Sequence, residues 1–77
     1  MNPYSVVKSV AGRDKGLLLV IVGKCDGNVL LADGKARPLI RPKLKNIKHI
    51  EATGQFLNEE DLNSDKSLRR ALKRCEL

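Results

Sequence analysis

Residues 6–24 read VVKSVAGRDKGLLLVIVGK, and they contain the longest apolar run of the chain. Two runs rich in β-branched and aliphatic residues flank a loop, residues 11–16, in which two glycines bracket three charged side chains. Short runs of this composition, bounded by glycine, favour strands over helices. The stretch therefore predicts two strands, at residues 4–10 and 17–24, joined by a tight charged loop.

The following residues continue the same pattern of short strands and tight turns. A third strand is predicted at residues 28–33, between two Asp-Gly pairs that are strong turn signals. Residues 36–40 are short and contain Pro38, which has no N–H for a ladder, so this segment is expected to be an edge strand or a bend. A last strand is predicted at residues 44–52. Together these segments predict a mainly β fold, a small barrel, since closure removes exposed edges.

The tail has a helical pattern instead. After Gly54, apolar residues recur with the spacing of one helix face, at Leu68, Ala71, Leu72 and Cys75. Asn63 or Ser64 can cap the start of this amphipathic C-terminal α-helix. We expect the helix to pack on the barrel, because an isolated helix of this length is marginal in water. The predicted organisation is a barrel over residues 1–54 and a turn with the C-terminal helix over residues 55–77.

The charge of the chain is unevenly distributed. The net charge is +6, and residues 1–50 hold ten Lys and Arg against three Asp and Glu. Six cations follow one another without an acid, namely Lys35, Arg37, Arg41, Lys43, Lys45 and Lys48. Such a run can neutralise phosphates and release their counterions. The alternative is a solvated sheet edge, since edge strands carry lysine to prevent aggregation; six cations exceed that need, so we favour binding to a nucleic acid.

The glycine-bracketed loop fits the same partner. Gly12 and Gly16 permit positive φ and a close backbone approach, and successive N–H groups in such a turn can donate hydrogen bonds to phosphate oxygens. Arg13 can donate two hydrogen bonds to one phosphate, and Lys15 adds a point charge. Asp14 would repel a phosphate, so we expect it to hydrogen-bond the turn backbone or hold Arg13. An ordinary solvated hairpin remains the alternative.

The mode of binding is narrowed by the scarcity of aromatic residues. Modules that bind single strands stack bases on exposed aromatic side chains, and this chain has only Tyr4 and Phe56. We expect both to be used in packing, so base stacking is not expected. Recognition of a folded RNA by phosphate and shape contacts remains. No predicted helix looks suited to the major groove of DNA.

Other functions find little support in the sequence. There is one histidine and no motif of a nucleophilic or phosphate-binding enzyme, so we expect no enzymatic activity and no cofactor. Cys25 and Cys75 are far apart, without the spacing of a zinc site, so no metal is expected. The longest apolar run, residues 17–22, is too short to span a bilayer. We expect a soluble, cytoplasmic monomer.

The stretch at residues 6–24 resembles the KOW motif, a strand, a basic Gly-x-x-x-Gly loop and a hydrophobic strand. Its continuation, VLLADGKARPLIRPKLKNIKHI at residues 29–50, resembles one KOW branch: the SH3-like archaeal and eukaryotic large-subunit ribosomal proteins and their small bacterial KOW-domain relatives. The resemblance covers residues 4–52. It implies an SH3-like barrel that binds RNA, typically ribosomal RNA of the large subunit. It implies RNA contacts from Gly12, Arg13, Asp14, Lys15, Gly16, Lys35, Arg37, Arg41, Lys43, Lys45 and Lys48.

A second function class stays open at this point. SH3-like barrels also bind peptides and protein surfaces, and a fold does not settle a function. The chain would then be a protein-interaction adaptor of transcription or translation that uses the barrel and the amphipathic C-terminal helix. Salt dependence separates the two hypotheses, since only binding through several phosphates weakens steeply as salt rises.

Overall fold

A computed structural model of the chain describes residues 4–76. The predicted mainly β fold with one C-terminal helix is confirmed, since the described residues form a five-stranded antiparallel sheet and one α-helix. The elements are β1 (Tyr4–Ser9), β2 (Leu18–Cys25), β3 (Asn28–Ala32), β4 (Lys43–Asn46), β5 (Ile50–Leu57) and α1 (Asp65–Arg74). Two 3₁₀ turns, Ile47–His49 and Glu59–Leu62, precede β5 and α1.

The strand pattern agrees with the sequence in β1, β2 and β3 and differs after them. The prediction of one strand over residues 44–52 is wrong, because the 3₁₀ turn Ile47–His49 separates β4 from β5. The Asn46 side chain stabilises this turn by accepting a hydrogen bond from the Lys48 N–H at 2.9 Å. The segment around Pro38 forms bends and no strand. β5 continues past residue 54, the predicted end of the barrel, to Leu57.

The sheet is strongly curved. Its strand order is β4-β3-β2-β1-β5, so β4 and β5 lie at opposite edges, although one 3₁₀ turn joins them. In a flat sheet these edges would be about 19 Å apart, four strand spacings of about 4.8 Å. The four residue steps from Asn46 to Ile50 span at most about 14 Å even when fully extended. The sheet therefore curls until its edges approach each other at this end.

Each face of the sheet carries its own apolar cluster. Val7, Leu19, Val29 and Leu31 are buried together on the concave face, with Ile21 and Ile50 packed against them. The opposite face buries Val6, Val20, Ala32 and Leu57 against Leu68, Ala71 and Leu72 of α1. The alternation of neighbours such as Val6 and Val7 between the two clusters is the period of two that a strand imposes. The curled sheet encloses the apolar cluster on its concave face, and α1 covers the cluster on the opposite face.

The helix packs on the sheet through its apolar stripe and is bound to the loop between β3 and β4 by polar contacts. The Ser64 hydroxyl caps it by accepting from the Ser67 N–H at 3.1 Å. The Asp65 carboxylate accepts from the Leu39 N–H at 2.8 Å, and the Arg69 guanidinium donates to the Gly34 carbonyl at 2.6 Å. These contacts seat the loop before β4 on the first half of α1. No helix of residues 4–76 is long and apolar enough to cross a membrane.

Candidate functional site

A buried polar cluster lies beneath the glycine-bracketed loop. The Lys45 ammonium donates hydrogen bonds to the Asp14 carboxylate at 2.6 Å, the Ser9 hydroxyl at 2.7 Å and the Ala11 carbonyl at 2.8 Å. Ser9 also donates to Asp14 at 2.8 Å. Only 7% of the Lys45 side chain and 10% of the Asp14 side chain are exposed. Since an ammonium has three donors, all of the hydrogen-bonding capacity of Lys45 is used inside the protein.

The charge of Asp14 is stabilised by this cluster. Burial alone would raise its pKa, but the hydrogen bonds from Lys45 and Ser9, with the charges of Lys45 and Lys43, outweigh burial and lower the pKa from 3.8 to about 2. The second carboxylate oxygen of Asp14 is buried and has no hydrogen-bond partner among the described residues. The Lys43 ammonium lies 3.8 Å from that oxygen. Asp14 therefore stays ionised at neutral pH within a cationic surrounding.

The cluster holds the loop in one conformation. The Gly16 N–H donates to the Ser9 carbonyl at 2.8 Å, and the Leu17 N–H donates to the Asp14 carbonyl at 2.9 Å. Gly12 and Gly16 have φ angles of 83° and 91°, in the region that favours glycine. The positive φ angles explain why the sequence has glycine at both positions. With Asp14 directed inward, Arg13 and Lys15 are the side chains that the loop exposes to solvent.

Two predicted contact residues are placed differently from the prediction. Lys45 is not on the surface, because it lies on the concave face opposite Val29 and its ammonium is bound inside the protein. Asp14 is not on the surface either, and it holds Lys45 instead of Arg13. The alternation of side chains along a strand is the sequence signal that could have indicated the burial of Lys45. Once β4 is assigned correctly, residues 43 and 45 fall on the same face as Leu31 and Val29.

The other predicted cations remain available to a partner. Five are exposed, namely Arg13, Lys15, Lys35, Arg41 and Lys48, and two are half-buried, Arg37 and Lys43. Within residues 4–76 the only one of these seven with a carboxylate inside 4 Å is Lys43. The structure brings several of them to one end of the sheet, beside the loop. Lys48 lies in the 3₁₀ turn whose His49 carbonyl accepts from the Val10 N–H at 2.9 Å.

A small cleft separates the loop from the turn at residues 33–37. Its volume is about 170 Å³, and it brings Arg13 and Arg37 to the same place. Leu17, Leu19 and Ala36 contribute apolar surface, and Asp14 and Asp33 complete the lining. A neighbouring groove contains Lys35 together with Arg69 and Lys73 of α1, and it also contains the acids Asp33 and Glu76. The sequence predicted that the helix packs on the barrel, but it did not indicate that the helix lies next to this groove.

The two aromatic residues have different environments. Tyr4 is half-buried and packs against the core that includes α1, as expected. The expectation that Phe56 is used in packing is wrong, because 58% of it is exposed on β5 opposite Ser5.

Within the described part of the chain, no group of three or more His, Cys, Asp or Glu side chains is placed to hold a metal ion.

Comparison with known proteins adds no family assignment. No protein-family model matches the chain, and no curated protein matches it significantly. The resemblance to the KOW family therefore stays a prediction drawn from the residues.

Proposed function

We propose that this protein is a non-enzymatic RNA-binding module that contacts the phosphates of a folded RNA. The observation that carries the proposal is the loop held by the buried Lys45–Asp14 pair. The pair removes the only acid of the loop from the surface, so that Arg13 and Lys15 are presented without a competing carboxylate from the loop itself. A loop that is already ordered loses little conformational entropy when it binds, which favours affinity.

The surroundings of the loop support a polyanionic partner. Arg37 and Lys43 lie on the elements next to it, and Lys48 lies in the turn beside Val10. Several cations that converge at one end of a small domain match the closely spaced charges of a nucleic-acid backbone. The only α-helix among the described residues packs its apolar stripe on the sheet, and we assign no groove-reading role to it. Folded RNA, read by phosphate and shape, is therefore the partner that we favour over duplex DNA.

We further propose that the curved sheet is an SH3-like barrel of the KOW type. Two features support closure: a single 3₁₀ turn joins the two edge strands, and Lys45 of β4 reaches Ser9 of β1 across the concave face. The KOW resemblance then suggests the large ribosomal subunit, or its precursor, as the source of the RNA.

The adaptor hypothesis finds less support. It relied in part on an apolar stripe of the C-terminal helix that is free to dock on a partner. Leu68, Ala71 and Leu72 are instead buried against the sheet of the same chain, with 0%, 1% and 6% exposed. The apolar stripe is covered by the sheet, so it offers no exposed surface on which a partner protein could dock.

Binding to a structured ribosomal RNA fragment, measured by fluorescence anisotropy over a range of salt, tests the proposal. The double substitution Arg13→Glu and Lys15→Glu should weaken binding at least tenfold and flatten the salt dependence, since about two phosphate contacts are lost. The matched control is Lys66→Glu with Arg70→Glu, two exposed cations of α1 that carry the same change in net charge. Equal affinity of the two double variants would overturn the assignment of the loop.

The ribosomal origin of the RNA needs a separate experiment. The tagged protein should sediment with large ribosomal subunits or their precursors from a lysate at low salt. High salt or ribonuclease should release it, because the contacts are to phosphates. If the protein stays at the top of the gradient under every condition, the ribosomal assignment fails, and other folded RNAs become the candidates.

A further inference from the structure

The cleft between the loop and the turn at residues 33–37 has the dimensions and lining of a site for one planar ring. Its volume of about 170 Å³ is below the range of about 300–1,000 Å³ that encloses a drug-sized ligand. Leu17, Leu19 and Ala36 contribute apolar surface to its lining. Arg13 and Arg37 belong to the same lining. Apolar side chains and two arginines around one small cleft suit an aromatic ring that is attached to a phosphate.

From this arrangement we infer that the cleft binds a single unstacked guanine base of the RNA. The inference rests on the proposed function and adds base recognition to it. RNA-binding proteins read unstacked bases by placing them against aromatic side chains or arginine planes and by hydrogen bonds to their edges. Here Arg13 and Arg37 take the place of the aromatic residues, while the phosphate of the same nucleotide meets the cations of the loop.

Asp33 supplies the preference for guanine. One of its carboxylate oxygens accepts from the Lys35 and Arg37 N–H groups, both at 2.8 Å. Two carboxylate oxygens offer about four acceptor positions, so Asp33 has capacity left. Within residues 4–76, Asp33 forms no ion pair, whereas Asp14, the other acid of the lining, is paired with Lys45. An acceptor-only group selects an edge with adjacent donors, and the N1–H and N2–H groups of guanine form such an edge.

Both walls of the cleft are rigid before any ligand arrives. Lys45 fixes the wall that carries Arg13. On the other wall, the Asp33 and Gly34 N–H groups donate to the Arg37 carbonyl at 2.9 and 3.1 Å, which closes the turn. Arg69 of α1 anchors this turn through the Gly34 carbonyl. A site that is preorganised in this way discriminates between bases because it does not adjust to the wrong one.

The test uses three RNA duplexes that differ at one bulged position, which carries guanine, uracil or an abasic ribose. The full-length protein should bind the guanine bulge about tenfold more tightly than the other two, the discrimination expected of a good two-hydrogen-bond contact. Asp33→Asn keeps an oxygen for the turn N–H groups and replaces the other acceptor by a donor. This variant should bind all three RNAs equally, with the salt dependence of the parent protein.

Controls separate this inference from the proposed function. Glu76→Gln changes a carboxylate in the neighbouring groove and should keep the preference for guanine. Ala36→Leu should abolish that preference by filling the cleft, which gives a second variant if Asp33→Asn perturbs the turn. If the parent protein binds all three duplexes equally but remains salt-sensitive, the guanine site is wrong and RNA binding stands. If no duplex or ribosomal RNA binds at low salt, both proposals are overturned.

Discussion

Replacing Lys45 by methionine tests the buried cluster that organises the loop. Methionine has a similar length and no charge, so Lys45→Met removes three hydrogen bonds, at 2.6–2.8 Å, with little change in packing. It leaves the Asp14 carboxylate buried with Ser9 as its remaining hydrogen-bond donor. Removal of one partner of a buried ion pair costs about 3–5 kcal/mol, because the other charge stays buried without compensation.

This loss is large for so small a protein. A chain of this length has a free energy of unfolding of about 4–12 kcal/mol, so the substitution removes a substantial part of it. Urea unfolding followed by circular dichroism measures the change. With a slope of about 1 kcal/mol per molar, a loss of about 3–5 kcal/mol should lower the midpoint by about 3–5 M. The matched control is Lys43→Met on the same strand, whose partly exposed ammonium lies 3.8 Å from Asp14 and which should cost less than about 1 kcal/mol.

A double variant tests whether the unpaired charge of Asp14 causes the loss of stability. Lys45→Met combined with Asp14→Asn removes the uncompensated charge, and it should be more stable than Lys45→Met alone by about 1 kcal/mol or more. A loss below about 1 kcal/mol in Lys45→Met would refute the argument. Equal stability of the single and double variants would also refute it, since Asp14 would then not depend on Lys45 for its charge.

Three further predictions follow from the same contacts. The pKa of Asp14 is about 2 in the folded protein and 3.8 when unperturbed, so the unfolded chain binds the proton first as the pH falls. About 2 kcal/mol of stability that is present above pH 5 should therefore be lost between pH 5 and 2. Urea unfolding at a series of pH values measures this loss, and Asp14→Asn should remove it. Gly34→Ala should cost about 2–4 kcal/mol by thermal unfolding, because φ is 77° and a Cβ would overlap the Asp65 carbonyl oxygen. Leu68→Ala should cost about 3 kcal/mol in the same measurement, since this side chain is fully buried between α1 and the sheet.

The elements that depend on short-range patterns could be predicted from the residues alone. The glycine-bounded apolar runs located β1 and β2, the Asp-Gly turns delimited β3, and the spacing of Leu68, Ala71 and Leu72 located α1. Ser64 was one of two cap candidates, and it is the cap that the structure has. Each of these features is set by residues within a few positions of one another, where the period of a strand or helix and the chemistry of turns and caps operate.

Which charged residues are exposed and which are buried could not be predicted from local patterns and depends on the three-dimensional fold. Lys45 counted as one of six cations in a run, yet its three hydrogen-bond partners lie 31, 34 and 36 positions away in the chain. The curl of the sheet brings them together, and it also requires the turn Ile47–His49, where the sequence suggested one strand. The cleft between Arg13 and Arg37 likewise joins two distant loops. Burial of a charge is decided by what surrounds it in space, and local patterns carry no information about partners at such separations.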